Sequence, residues 1–159
     1  MKATPIEIEK YLKLIEETPH FLAQATEGMD DAFLRAKSEK KSWSANDILA
    51  HLRSCADIWT YSIYAMLAAH DPELPDINER KWANVTCYAA LPFAKSLEAF
   101  SLQRENLLWV LKALPFEAWE KSAMIFGRKH TIFTQTRRLA KHETEHCEQI
   151  KELLSAKSS

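Results

Sequence analysis

The chain has 159 residues, 47% of them hydrophobic and 27% charged, with a formal net charge of -1. That length fits one globular domain, residues 1–159 with its core between 5 and 154. The near-neutral balance gives no electrostatic reason to expect nucleic acid or an anionic membrane as partner. No apolar run approaches the ~20 residues of a membrane span, and the opening stretch MKATPIEIEK lacks the apolar centre of an export signal. Three cysteines, Cys55, Cys87 and Cys147, match no zinc-knuckle or redox spacing and read as reduced thiols in the cytoplasm. Only two glycines occur, Gly28 and Gly127, too few for a hairpin-rich β fold or a phosphate-cradling loop. The composition therefore points to helices.

The spacing of Ile6, Tyr11, Leu12, Ile15, Phe21, Leu22 and Ala25 predicts a first helix from about Pro5 to Glu27. Thr18-Pro19 should kink or briefly break it, and Gly28 suits its C-terminal turn. Asp30 to Ala36 can add a short helical turn. The second helix has the clearest start: Ser44 stands at an N-cap position and Asp47 follows in the first turn. Ile48, Leu52, Cys55, Ile58, Trp59, Ile63, Met66 and Leu67 continue it to about Ala69. Asp71 to Leu91 reads as a long irregular loop bounded by Pro72, Pro75 and Pro92, with Trp82 and Tyr88 available to pack on something. A third helix is predicted from Pro92 to just before Pro115, then a connection with a helical turn near Glu117–Lys121 and a tight turn at Gly127. The fourth helix runs from about Thr131 to Leu154, followed by a polar tail, Ser155 to Ser159. The expected fold is all-α: a four-helix bundle with a long loop between helices two and three.

Three histidines stand out. On the fourth helix, Leu139, His142, His146, Ile150 and Leu153 recur at helical spacing, so two imidazoles occupy positions where a bundle usually places leucine. A buried imidazole without partners costs a few kcal/mol, and side chains at i and i+4 lie ~6 Å apart, close enough to share one ion. His51 repeats the pattern on the second helix. Three imidazoles from two facing helices form an open ligand set that leaves room for water or substrate. His142-Glu143-Thr144-Glu145-His146 also fits the H-E-x-x-H pattern of metalloproteases. However, no histidine follows His146 and only Glu148 and Glu152 remain as acids, so that pattern lacks its third ligand. Glu143 and Glu145 fall off the stripe and read as surface charge. Cys55, one turn from His51, and Trp82 and Tyr88, if the long loop folds over the site, are candidates for a substrate pocket. Trp59, Trp109 and Trp119 are candidates for the face of a homodimer.

These blocks resemble the DinB-like (DinB/YfiT-type) superfamily of metal-binding four-helix bundles. The resemblance lies in Trp43-Ser44 leading into Asp47-Ile48-Leu49-Ala50-His51-Leu52, in His142-x-x-x-His146-x-x-Gln149-Ile150, and in Ala113-Leu114-Pro115-x-x-x-Trp119. It covers nearly the whole chain. It implies an up-up-down-down type of bundle with His51, His142 and His146 as the ligands of a divalent metal: zinc or nickel first, iron or manganese as alternatives. Some relatives carry a further histidine one turn before the pair, where this chain has Arg138. The resemblance also implies a metal-dependent transferase that attaches a low-molecular-weight thiol to a small electrophile. A non-catalytic metal- or ligand-binding module is the alternative, and a metal-dependent hydrolase a third reading.

Overall fold

The computed structural model describes residues 2–37 and 42–157. Four long helices form the bundle: α1 (Pro5–Ala25), α3 (Ala45–Ala68), α5 (Phe93–Lys112) and α6 (Ile132–Lys157). Each begins where local chemistry directs it. Thr4 caps α1, its side chain accepting from the Glu7 amide, with Pro5 in the first turn. Ser44 and Asp47 form a reciprocal capping box on α3. Pro92 precedes the first residue of α5. The helix α1 continues through Pro19 rather than breaking there, with Thr18 and Leu22 buried on either side. Gly28 takes a left-handed φ of 74° in the turn that follows, and α2 (Asp31–Arg35) supplies the short helical turn. The polar tail begins inside α6, and its last two positions lie outside the described residues. No described helix is long and apolar enough to cross a membrane.

Pairings between helices fix the topology. Tyr11 meets Arg137, and Leu14 to Phe21 lie along Thr144, Cys147 and Glu148, so α1 and α6 run parallel. Arg53, Asp57 and Thr60 bind Ser96, Gln103 and Arg104 in turn, so α3 and α5 also run parallel. Glu16 pairs with Lys112 while Ala23 lies beside Ser101, which makes α1 and α5 antiparallel. His51 faces His142 while Trp59 lies under Arg138, which makes α3 and α6 antiparallel. Around the bundle the helices stand in the order α1–α6–α3–α5; taken in chain order, α1, α3, α5 and α6 run up-down-down-up, not the up-up-down-down expected from the resemblance.

Two parallel helices adjacent in the bundle need a connection that returns along its length. Residues 69–92 make that return, and they are not an irregular loop. They contain β1 (Glu73–Leu74), α4 (Glu79–Thr86, capped by Asn78) and a 3-10 turn, Tyr88–Ala90. A hairpin also departs from the all-helical expectation. β2 (Ser122–Ile125) pairs antiparallel with β3 (Arg128–Thr131) and parallel with β1. The hairpin turns at Phe126 and Gly127, whose φ values of 46° and 70° suit a tight turn. Ala123 of this small sheet joins Trp119 and Ile132 in the core.

The core has two apolar clusters. One contains Ile15, Ile58, Ile63, Leu107 and Phe133; the other contains Leu22, Leu49, Leu52, Phe100 and Ile150. Each such side chain, fully buried, contributes about 1.5–3 kcal/mol. Between the clusters lies a polar layer of Thr18, Arg104 and Glu143. Trp59 and Trp119 are buried, at 4% and 2% exposure, so the structure removes them from the expected dimer face; Trp109 is 82% exposed.

Candidate metal centre

His51 lies in the second turn of α3, and His142 and His146 lie one turn apart in the middle of α6. The antiparallel crossing of these helices brings the three rings together. His142 Nε2 is 3.1 Å from His51 Nε2 and 3.1 Å from His146 Nε2, and the three ligand atoms lie within 4.8 Å of one another. Two nitrogens bound to one zinc at ~2.0–2.1 Å stand roughly 3.3 Å apart in a tetrahedral arrangement. The observed spacing therefore suits ligands of one ion.

Protonation agrees with this. Burial pushes the His142 imidazole down to about 3, helped by the other two rings and Arg138. Burial, then His146, pushes His51 down to about 4. Burial lowers His146 too, against an opposing hydrogen bond to Gln149. All three rings are neutral near pH 7 and can offer lone pairs. His146 Nδ1 donates to Gln149 Oε1 at 2.8 Å, which leaves its Nε2 lone pair facing the other rings. Three lone pairs facing one another repel unless a cation or proton lies between them. Among the described residues His142 Nδ1 is buried without a partner. These features fit a divalent metal bound by the three Nε2 atoms.

Aromatic rings fix the imidazoles. Trp43 stacks on His146 with centroids 6.1 Å apart and lies 5.2 Å from His51, while Trp59 meets His142 edge-on at 4.9 Å. Arg138 covers Trp59 at 4.2 Å and pairs with Glu79 of α4 at 3.5 Å. The place of the missing fourth histidine thus holds a cation that ties α6 to α4.

Cys55 Sγ lies 3.6 Å from His51 Nε2 and 3.9 Å from His142 Nε2, and burial pushes its thiol far up, so it is neutral. A cavity of about 250 Å³ borders His51, and its lining includes Trp43, the Lys37 and Asp47 side chains, Arg80, Ala83 and Asn84. Trp82 and Tyr88 do not line it. Their Nε1 and hydroxyl groups both donate to Asp57 Oδ2, at 2.9 and 2.6 Å, and Gln103 donates to Asp57 Oδ1 at 2.8 Å. Asp57 thereby fastens α4 and the 3-10 turn to α3 and α5.

Glu143 is not surface charge. It is buried and bonded to Arg104, Nη1 to Oε1 at 3.1 Å, while Arg104 Nη2 donates to Thr60 at 2.9 Å. Burial pushes the Glu143 carboxyl up to about 7, against the pull of Arg104. Its direction into the bundle also removes the general base that a protease reading of H-E-x-x-H requires. Asp57, Trp43, Gln149 and the Arg104–Glu143 pair have roles the sequence did not assign. The available signals were the motif positions of Trp43 and Gln149 and the unusual charge of Arg104 among apolar neighbours on α5.

The comparisons agree with this fold. The solved structure described as "YfiT from Bacillus subtilis is a probable metal-dependent hydrolase with an unusual four-helix bundle topology" has a similar fold. Its TM-score is 0.86 at 18% identity, covering 99% of this chain and 90% of that one. No curated protein sequence matches. The profile of the DinB superfamily matches residues 14–150, and the chain belongs to that superfamily.

Proposed function

We propose that the protein is a metal-dependent enzyme that activates a small nucleophile at the His51, His142 and His146 centre. The observation that carries this reading is the convergence of three neutral imidazoles beside an open cavity. The three imidazoles would hold a divalent cation, zinc or nickel first, which would supply a lowered proton affinity for a thiol or water and so a nucleophile near neutral pH. The chain's own residues do the rest. Gln149 holds the His146 tautomer, Trp43 and Trp59 hold the ring planes, and Asp57 keeps α4 over the site.

The first reaction assigned is thiol transfer. The thiol gives its proton to solvent, its sulfur forms a bond to an electrophilic carbon, and the bond from that carbon to the leaving group breaks, its electron pair departing with the leaving group. The supporting feature is a small, partly apolar cavity suited to a compact electrophile. Hydrolysis is the second reading, favoured by the description of the B. subtilis neighbour as a probable metal-dependent hydrolase. Metal-loaded protein is incubated with a thiol panel and a bimane electrophile, and in parallel with activated esters. Thiol-dependent conjugation that disappears in His142→Ala supports transfer, and ester cleavage alone supports hydrolysis. No rate above background in either assay leaves a non-catalytic binding module and overturns the enzyme reading.

A further inference from the structure

We propose that the cavity beside His51 selects substrates that carry a carboxylate, and that Arg80 is the residue that reads it. This rests on the metal-centre reading above. The charges around the cavity are mostly cancelled in pairs. Lys37 binds Asp47 at 2.9 Å, and Glu79 binds Arg138 at 3.5 Å. Arg80 is different: it is exposed, among the described residues its guanidinium has no hydrogen bond or ion pair, and it lies over the Trp43 ring, 5.8 Å from the centroid. That ring also stacks on His146 and touches His51, so the free cation and the imidazole cluster share one aromatic wall.

The local helix explains the placement. Arg80, Ala83 and Asn84 stand at i, i+3 and i+4 on α4 and so share one face, which lines the cavity. The cation and an amide therefore share, with Ala83, the face of α4 that borders the cavity. The cavity, about 250 Å³, is smaller than the ~300–1,000 Å³ of pockets for drug-sized ligands, so the substrate is compact. A planar guanidinium fork matches a carboxylate, which it can bind through two parallel hydrogen bonds. A phosphate dianion would call for a second unpaired cation, and Lys37 is already held by Asp47.

The test uses the full chain loaded with cobalt(II), which reports a bound thiolate by a sulfur-to-metal charge-transfer band. Mercaptoacetate and 2-mercaptoethanol are titrated separately; they differ mainly in the carboxylate. Wild-type protein should bind mercaptoacetate about tenfold more tightly, the scale of one charge-assisted contact. Arg80→Met should bring the two within about twofold, and Arg80→Lys should retain part of the preference. The thiol-free cobalt spectrum should be unchanged in both variants, showing an intact triad. Acetate should compete with mercaptoacetate better than inorganic phosphate does. Equal affinities, no binding of either thiol, or a preference that survives Arg80→Met overturns the assignment of Arg80. Stronger competition by phosphate overturns the carboxylate class. Failure of wild-type protein to take up cobalt removes the metal reading, and this proposal with it.

Discussion

Replacing Glu143 with leucine isolates the buried ion pair. The substitution leaves the Arg104 guanidinium at 0% exposure with Thr60 as its only hydrogen-bonding partner among the described residues, because Nε already has none there. Arginine cannot escape by losing its proton. Removing one partner of a buried pair costs about 3–5 kcal/mol. For a chain of this size each kcal/mol moves the melting temperature by about 2–4 °C, so Glu143→Leu should lower Tm by roughly 6–20 °C. The reciprocal change is milder. In Arg104→Met the Glu143 carboxyl, already raised to about 7 beside Arg104, can take up a proton and become neutral. That variant should therefore recover stability relative to wild type as pH falls from 7.5 to 5.5. The double variant, Arg104→Met with Glu143→Leu, should return close to wild type, since apolar replacement of a buried pair is often neutral or stabilising. The assay is thermal unfolding by circular dichroism at both pH values on metal-stripped protein, each variant read against wild type at the same pH so that the titration of His51 and His142 cancels. If Glu143→Leu stays within about 2 °C of wild type, or the double variant is as damaged as the worse single one, the polar-layer account is wrong.

Other outcomes follow from the same contacts. Gln149→Leu removes the acceptor that orients His146, and should weaken metal affinity about 10–100-fold in a competition titration while leaving Tm of the metal-free protein little changed. Asp57→Ala frees Trp82, Tyr88 and Gln103, so amide exchange across residues 79–90 should accelerate well before global unfolding. Metal-free protein should lose stability as pH falls from about 6.5 toward 4. In that window an unfolded histidine binds a proton that folded His51 and His142 exclude, down to about 4 and 3, so the unfolded state gains protons first. A pH-independent urea midpoint across that range would contradict the buried, neutral triad.

The parts of the structure legible in the sequence are those that depend on short-range pattern. Ser44 and Asp47 announce α3 because a cap and its box lie within four residues. His142 and His146 declare themselves because one helical turn separates them. The rest depends on rotation and crossing, which periodicity leaves loose. The stripe chosen for α6, through Leu139, His142, His146 and Leu153, is turned from the buried face, which carries Leu139, Ala140, Glu143, Cys147, Ile150 and Leu154. The two histidines thus sit half-buried at the edge of the core, facing His51, which lines the cavity, and Glu143 goes inward. The helix α4 escaped because it buries none of its eight residues and so has no apolar stripe. The hairpin escaped because each strand has four residues. The up-down-down-up order is set by which helices touch, and no local pattern encodes that.

The central claim, one divalent metal held by His51, His142 and His146, is tested most directly by elemental analysis of untagged protein beside its His142→Ala variant. The account predicts close to one equivalent of zinc, nickel or another divalent ion per wild-type chain, and near none in a variant that remains helical by circular dichroism. Wild-type protein that stays metal-free after incubation with zinc and nickel, or a variant that retains its full equivalent, would contradict it.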